Sequence, residues 1–350
     1  MSQEDQVAAP PGRTAGNPVA TQVAKQVAGI ALAAVFLWLS FRNVNLRELW
    51  KYVEHLNLWF LLLVVFSGLA SHLLRAARWI ILLRPLSSRR VGLFNSFAAV
   101  MIGYAVNVAI PRGGEVARLV SISRSENLPW AGVLPTMFID RLLDIALLVA
   151  LLGLTLTQMP PSATASMPWL VPGGIGLCLA TVVGLIVLPF AGRIIKWLTR
   201  LPAIENLITK KWMNTASELA AQFDLGTKSL TDPLGFPSIA ILSFAIWLFY
   251  WLNLYLMVWA FDLQNKIDVA KSLIVFTIGS VGVLVPTPGS VGSYHFLVSQ
   301  GLQMVAHLDN VQSLAFATVL HAFCFVIVTC VPAALCLAIQ SARANRKTGA

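Results

Sequence analysis

A chain of 350 residues that is 57% hydrophobic and only 11% charged cannot cover a soluble surface of its size, because soluble domains carry about 25% charged residues. A net charge of +10 in a soluble protein would suggest nucleic acid. Here the basic residues sit in short loops between apolar runs, the positive-inside pattern of a membrane protein, and nucleic acid is not an expected partner.

Residues 1–22 are rich in Pro, Gly, Ala and Gln, lack apolar periodicity and read as a disordered cytoplasmic tail. The first apolar run, 23–41, ends Leu37-Trp38-Leu39-Ser40-Phe41-Arg42. It lacks the small residues of a cleavage site and reads as an uncleaved anchor helix. Residues 42–58 carry charge, yet Leu46, Leu49, Tyr52, Val53 and Leu56 recur at helical spacing, which predicts an amphipathic helix in the interface. Further crossings are predicted at 59–83, 131–157, 169–190, 236–261 and 311–338, with a second interfacial helix in part of 194–225. The cysteines Cys178, Cys324, Cys330 and Cys336 all fall in apolar runs without a C-x-x-C pair, which argues for small packing residues rather than disulfides or zinc.

Two apolar segments differ from the rest. Residues 93–110 run into Pro111-Arg112-Gly113-Gly114, and 272–285 run into Pro286-Thr287-Pro288-Gly289; helix-compatible stretches follow at 115–124 and 290–306. Proline breaks the helical hydrogen-bond ladder and glycine lets the backbone reverse. If both segments are re-entrant, Arg84, Arg89 and Arg90, then Arg112, Arg118 and Arg124, the basic loop 191–235 and the tail residues Arg343, Arg346 and Lys347 share one side with both termini. The loop 158–168, without Lys or Arg, lies opposite. Full crossings would reverse that assignment for the long basic loop, so the positive-inside rule favours re-entrance. The expected fold is therefore an all-α polytopic membrane protein with about six transmembrane helices and two re-entrant broken-helix hairpins. Its membrane domain spans 23–340 and a basic cytoplasmic tail follows at 341–350. Met101-Ile102-Gly103 with Pro111, Gly113 and Gly114 resembles Thr277-Ile278-Gly279 with Pro288, Gly289 and Gly292. Three predicted crossings separate the two, as in an inverted repeat of a transporter. Chance likeness of two Gly/Pro-rich apolar stretches is the alternative.

Four constellations carry chemistry. A helix starting near Gly113 would aim the N–H groups of Gly113 and Gly114 at the hairpin tip beside Arg112 and Arg118, a site for a lipid phosphate. The plainer reading is a helix start favoured by Glu115 at its positive end. Asp140, Arg141 and Asp144 lie inside the third crossing, where each charge costs about 2.5–3.5 kcal/mol unless paired. Arg141 and Asp144 are spaced to pair along one face, leaving Asp140 for another cation, with Arg118 the partner expected. This would be a gate or headgroup contact, or a bracing ion-pair network. Arg75 and Arg78 beside Trp79 read as snorkelling interface anchors that also reach headgroups. Ser290 and Ser293, with the start of the helix after Pro288-Gly289, could hold a polar headgroup. His72 and His321 read as packed polar residues. No H-E-x-x-H, Cys/His cluster, Asp-x-Asp or P-loop is present, so no catalytic residue, metal or cofactor is expected.

These motifs, in this order, resemble the lysylphosphatidylglycerol synthase transmembrane, or flippase-like, family over about residues 20–340. The matching residues are Leu74-Arg75-Ala76-Ala77-Arg78-Trp79, Asn107…Pro111-x-Gly113-Gly114-Glu115-x-x-Arg118, Asp140-Arg141-x-x-Asp144 and Pro288-Gly289-x-x-Gly292. Asp140 stands where the family form has Glu, and Tyr294-His295 where a carboxylate follows the last glycine, which leaves no acid for the second hairpin. The resemblance implies translocation of a phosphate-bearing lipid or lipid-linked intermediate in a prokaryotic inner membrane, without the soluble aminoacyl-transfer domain. Membrane lipids are the expected partners. The alternatives are a transferase on polyprenyl phosphates, or a non-catalytic partner of a lipid- or glycan-modifying enzyme.

Overall fold

The computed structural model describes residues 31, 34–42, 45–110, 113–157, 168, 170–187, 190–198, 210–228 and 235–348. The expected tail 1–22 and the candidate Arg112 lie outside them, as does most of the first apolar run. Among the described residues every regular element is helical.

Helix α1 (34–41) leads into α2 (Leu46–Glu54) and α3 (Leu58–Leu83). Asn45 and Asn57 start the latter two, each side chain accepting the N–H two residues on, so a first-turn donor is satisfied by the residue type that favours the position. On α2 Leu49 is buried while Arg47, Glu48, Trp50 and Lys51 are exposed; this is the amphipathic helix expected between 42 and 58.

The first break forms as predicted. Helix α4 (Leu93–Ala109) ends just before Pro111 and α5 (Gly113–Glu126) begins just after Arg112. The two helices pack against each other along their length, and Gly103 and Gly114 allow it. A Cβ on Gly103 would lie 2.9 Å from the Gly114 carbonyl oxygen, and one on Gly114 would collide with the Gly103 carbonyl. At the open end of the hairpin Glu126 accepts from Gly92 N–H (2.9 Å) and from Asn95 Nδ2 (2.7 Å).

Helix α6 (Trp130–Leu156) and α7 (Leu170–Val187) follow, then α8 (Ala191–Leu198) and α9 (Lys210–Thr227), which pack on each other while α9 also leans on α6. Next comes α10 (Gly235–Ala260) and a second hairpin made of α11 (Val269–Leu284) and α12 (Ser293–Ala306). Asp268 caps α11, accepting from Lys271 N–H at 2.8 Å. The chain closes with α13 (Asn310–His321), a π-helical turn at Ala322–Ile327, and α14 (Val328–Thr348).

The segments Leu58–Leu86, Gly235–Ala260 and Asn310–Ala342 are long and apolar enough to cross a bilayer. At 1.5 Å per residue α6 is also long enough, at about 40 Å, though it carries the charges at 140, 141 and 144. The outward faces are apolar: Phe66, Ile241, Phe244 and Leu335 are all more than half exposed. That arrangement suits hydrocarbon, not water. The protein is an integral, all-helical membrane protein.

The order helix, hairpin, helix occurs twice: α3, α4–α5, α6 and α10, α11–α12, α13–α14. The contacts are reciprocal. Helices α3 and α10 pack together, α4 lies on α14, and α11 lies on α6, so each hairpin docks on the closing helix of the other half. The hairpin tips meet, with Gly289 (φ 56°) so close that a Cβ there would lie 3.3 Å from Cα of Val108.

Candidate functional site

The arginines of α3 and the acids of α6 form one buried cluster. Arg75, Arg78 and Trp79 are three or four residues apart and share a face of α3; Asp140 and Asp144 share one on α6. Arg78 donates to Asp140 Oδ1 through Nε (3.1 Å) and Nη2 (2.6 Å), to Asp144 Oδ1 through Nη2 (2.8 Å), and to Ser243 Oγ of α10 through Nη1 (2.8 Å). Arg75 Nη1 lies 3.1 Å from Asp140 and 2.7 Å from Asp144, while its Nε donates to Tyr250 Oη at 3.1 Å. Arg118 reaches across from α5 and donates to Asp140 Oδ2 at 2.9 Å. The side chains of Arg78 and Asp140 have no exposed surface.

These contacts sort the sequence expectations. The Arg118–Asp140 pair forms as expected. The Arg141–Asp144 pair does not: Arg141 turns to α5 and pairs with Glu115, because α3 supplies two guanidinium groups to Asp144. Nor do Arg75 and Arg78 snorkel; they are 2% and 0% exposed. Their carboxylate partners keep them inside, which the spacing Arg75-x-x-Arg78 on an apolar helix could have signalled.

The helix N-terminus expected to hold an anion is already partnered. Gly114 N–H donates to Asn107 Oδ1 (2.8 Å) and Gly113 N–H to the Ile110 carbonyl (3.0 Å). In the second hairpin, Ser293 Oγ contacts Thr287 Oγ1 at 3.1 Å and donates to the Gly282 carbonyl at 2.9 Å. Ser290 sits at φ 58° in the turn itself. Both serines are buried and hold the turn together.

Three guanidinium groups, of Arg75, Arg78 and Arg118, meet two carboxylates, of Asp140 and Asp144. The neighbouring Arg141–Glu115 pair is neutral, so among the described residues the cluster holds one uncompensated positive charge away from water. Arg118 shows where it is least satisfied. Its guanidinium lies over the Trp79 ring, 3.8 Å from Cζ to the centroid, and its buried Nε and Nη2 have no hydrogen-bond partner among the described residues. A gap of about 10 Å³ adjoins it, between Gly103, Asn107, Gly114, Glu115, Tyr104 and Arg141.

Tyr104 and Arg141 also line a cavity of about 290 Å³. Its charged end is formed by Arg75, Arg141 and Asp144. The wall comes from both halves of the molecule, including Ser71 and His72 of α3, Trp247 and Asn253 of α10, Ser280 of α11 and Tyr294 of α12. His72 Nδ1, Trp247 Nε1 and Asn253 Oδ1 are buried without a hydrogen-bond partner among the described residues. The lining also includes Val283 and Leu284, each 42% exposed, so the chamber has an apolar rim as well as a charged end. Tyr104, Trp247, Tyr250 and Asn253 escaped the sequence reading because single polar or aromatic residues in apolar helices are ordinary. Among the described residues no group of three or more His, Cys, Asp or Glu is placed to hold a metal.

Fold and site together define a helical membrane protein with paired broken hairpins around a buried arginine–aspartate cluster. The chain belongs to the family described as the lysylphosphatidylglycerol synthase TM region, whose model matches residues 26–331, and this places it in a membrane-lipid context. It matches no curated protein and no solved structure.

Proposed function

We propose that the protein translocates a phosphate-bearing lipid, or lipid-linked intermediate, across the membrane, with the headgroup in the cavity and the tails leaving through its apolar rim. The observation that carries this reading is the unbalanced charge of the buried cluster at the polar end of that chamber. Unpaired buried charge costs several kcal/mol, and an anionic headgroup offsets it. The cavity suits the shape of the task as well, being mostly apolar with a few convergent polar groups. The protein acts as a transporter rather than an enzyme in this reading. Its lipid is its partner, and it sits in a prokaryotic cytoplasmic membrane with both termini inside.

Arg118→Ala tests the reading cleanly. It removes the uncompensated charge and leaves Asp140 paired with Arg75 and Arg78, so the cluster becomes neutral without stranding a carboxylate. In proteoliposomes containing headgroup-labelled phospholipids, the wild type moves label between leaflets and Arg118→Ala loses at least about tenfold in rate, the change expected from removing about 1.4 kcal/mol of interaction with the moving headgroup. Undiminished transport by a correctly inserted variant would remove the cluster from the mechanism.

A further inference from the structure

The second hairpin carries two histidines that the charged cluster does not use. His295 lies in the first turn of α12 and His321 ends α13; both are 5% exposed and their ring centroids are 4.6 Å apart. Each ring is tied to the hairpin turn by a backbone group that fixes its tautomer. His321 Nε2 is 2.8 Å from the Gly289 carbonyl. A carbonyl only accepts, so Nε2 carries a proton, and in the neutral ring Nδ1 is left with a lone pair. His295 Nδ1 accepts from Gly292 N–H at 3.3 Å, so its proton is on Nε2. The acceptor role of its Nδ1 makes His295 neutral in this conformation, and His321 is taken as neutral beside it.

Their place in the fold is unusual. Gly289, held by His321, touches Val108 of the other hairpin, so the pair sits where the two tips meet. Gly289, Ser290 and Gly292 all have positive φ, which makes the turn depend on the ties that hold it. The π-helical turn starts immediately after His321, an irregularity that recurs at functional sites. The pair also backs onto the cavity: His321 stacks on Phe325 (4.8 Å, 9°) and lies beside Tyr294, and both of those line the wall. Tyr294 of α12 lies against His321, with Cys324 of the π turn near Tyr294 in turn, while Phe41 of α1 lies against His295. No Asp, Glu, Lys or Arg is paired with either ring among the described residues.

We infer that His295 and His321 form a proton-binding site that couples lipid movement to a proton. One proton adds to Nδ1 of one ring when the hairpin tip opens to water. On His295 that nitrogen can no longer accept from Gly292, so the start of α12 is released. On either ring the resulting imidazolium places a positive charge behind the cavity wall, a second attraction for the headgroup anion away from the arginines. When the tips open toward the opposite side of the membrane, the nitrogen that gained a proton passes it to water on that side, the backbone ties re-form and the pair returns to neutral.

The inference rests on the translocase reading for what is moved, and one experiment separates the two. Wild type, His295→Asn and His321→Gln are placed in proteoliposomes with headgroup-labelled phospholipid and an entrapped pH-sensitive dye, with and without an imposed pH gradient. The amides were chosen for shape: Asn can accept from Gly292 N–H and Gln can donate to the Gly289 carbonyl, so the neutral ties are kept without a titrating ring. In the wild type a pH gradient changes the lipid rate about tenfold and protons enter the lumen as label moves. In each single variant the ratio of rates with and without the gradient falls, and in the double variant His295→Asn/His321→Gln, which has no titrating ring left in the pair, it falls to about one. Lipid movement indifferent to the gradient, or variants that respond as the wild type does, overturns the coupling and leaves the translocase standing. Absence of lipid movement under every condition overturns both.

Discussion

Asp140→Asn is the substitution on which the account of the buried cluster depends most. Asp140 has no exposed surface and receives hydrogen bonds from three arginine side chains, at 2.6 and 3.1 Å from Arg78, 3.1 Å from Arg75 and 2.9 Å from Arg118. Asparagine keeps the size but replaces one acceptor oxygen with a donor that faces a guanidinium, and it raises the uncompensated charge from one to two. Removing one partner of a buried ion pair costs about 3–5 kcal/mol, and three pairs converge here, so the upper part of that range is expected. The nearby Arg141–Glu115 pair provides the control. Its side chains are 38% and 34% exposed and Glu115 meets a single guanidinium, so Glu115→Gln should cost clearly less than Asp140→Asn. Reversible unfolding in mixed detergent micelles, followed by helical circular dichroism, measures both. A loss within about 1 kcal/mol for Asp140→Asn, or equal losses for the two variants, would refute the claim that the cluster holds α3, α5 and α6 together.

Two further outcomes follow from packing. Gly114→Ala places a methyl group against the Gly103 carbonyl and the Asn107 side chain; the backbones of α4 and α5 must separate, and a loss of about 1–3 kcal/mol or more is expected in the same unfolding measurement, whereas Gly153→Ala, with nothing within 4 Å, should be neutral or slightly stabilising. Ser280→Trp projects an indole into the cavity that Ser280 lines; lipid movement in proteoliposomes should fall at least about tenfold while the Asp140 cluster, and with it most of the stability, is retained, and unchanged transport would show that the headgroup takes another route.

The elements of the fold were legible because the bilayer imposes a simple rule on sequence. Long apolar runs, Pro/Gly breaks and the helical period of 46–56 each have one structural answer, and α3, α4, α5, α11 and α12 begin and end within a few residues of where those signals place them. The partners inside were harder to read. Arg141 and Asp144 have the right spacing to pair, but spacing along one helix is silent about what a second helix brings, and α3 brings two arginines. The same blindness made Arg75 and Arg78 look like interface anchors: a charged residue within reach of a helix end is as compatible with snorkelling as with burial until its counter-ion is located. Gly113 and Gly114 were marked correctly as special, for a different reason. Their value lies in the close approach of α4 and α5, and the N–H groups that a bare motif would offer to an anion are taken by Ile110 and Asn107.

The two halves share a topology and divide the chemistry. In the first, the helix before the hairpin contributes Arg75 and Arg78, the hairpin Arg118, and the helix after it Asp140 and Asp144. In the second, the corresponding positions in the chain hold Ser243 and Tyr250 on α10, Ser293 and His295 on the hairpin, and His321 at the end of α13. The two sets meet across α3 and α10, where Ser243 and Tyr250 accept hydrogen bonds from Arg78 and Arg75. If a lipid headgroup moves through the cavity as proposed, a fixed charge in one half and a neutral histidine pair in the other would give it unequal footing at the two ends of its path. Near-symmetric hairpins can exchange inward and outward states at low cost because each resembles the other, but symmetry alone favours no state. A bias requires a ligand that binds the two states unequally. In the proposed translocase the fixed arginines would attract the anion whichever way the tips lean, so a difference between states would have to come from a group whose charge changes, and the His295–His321 pair beside the hairpin turn is the group proposed for it.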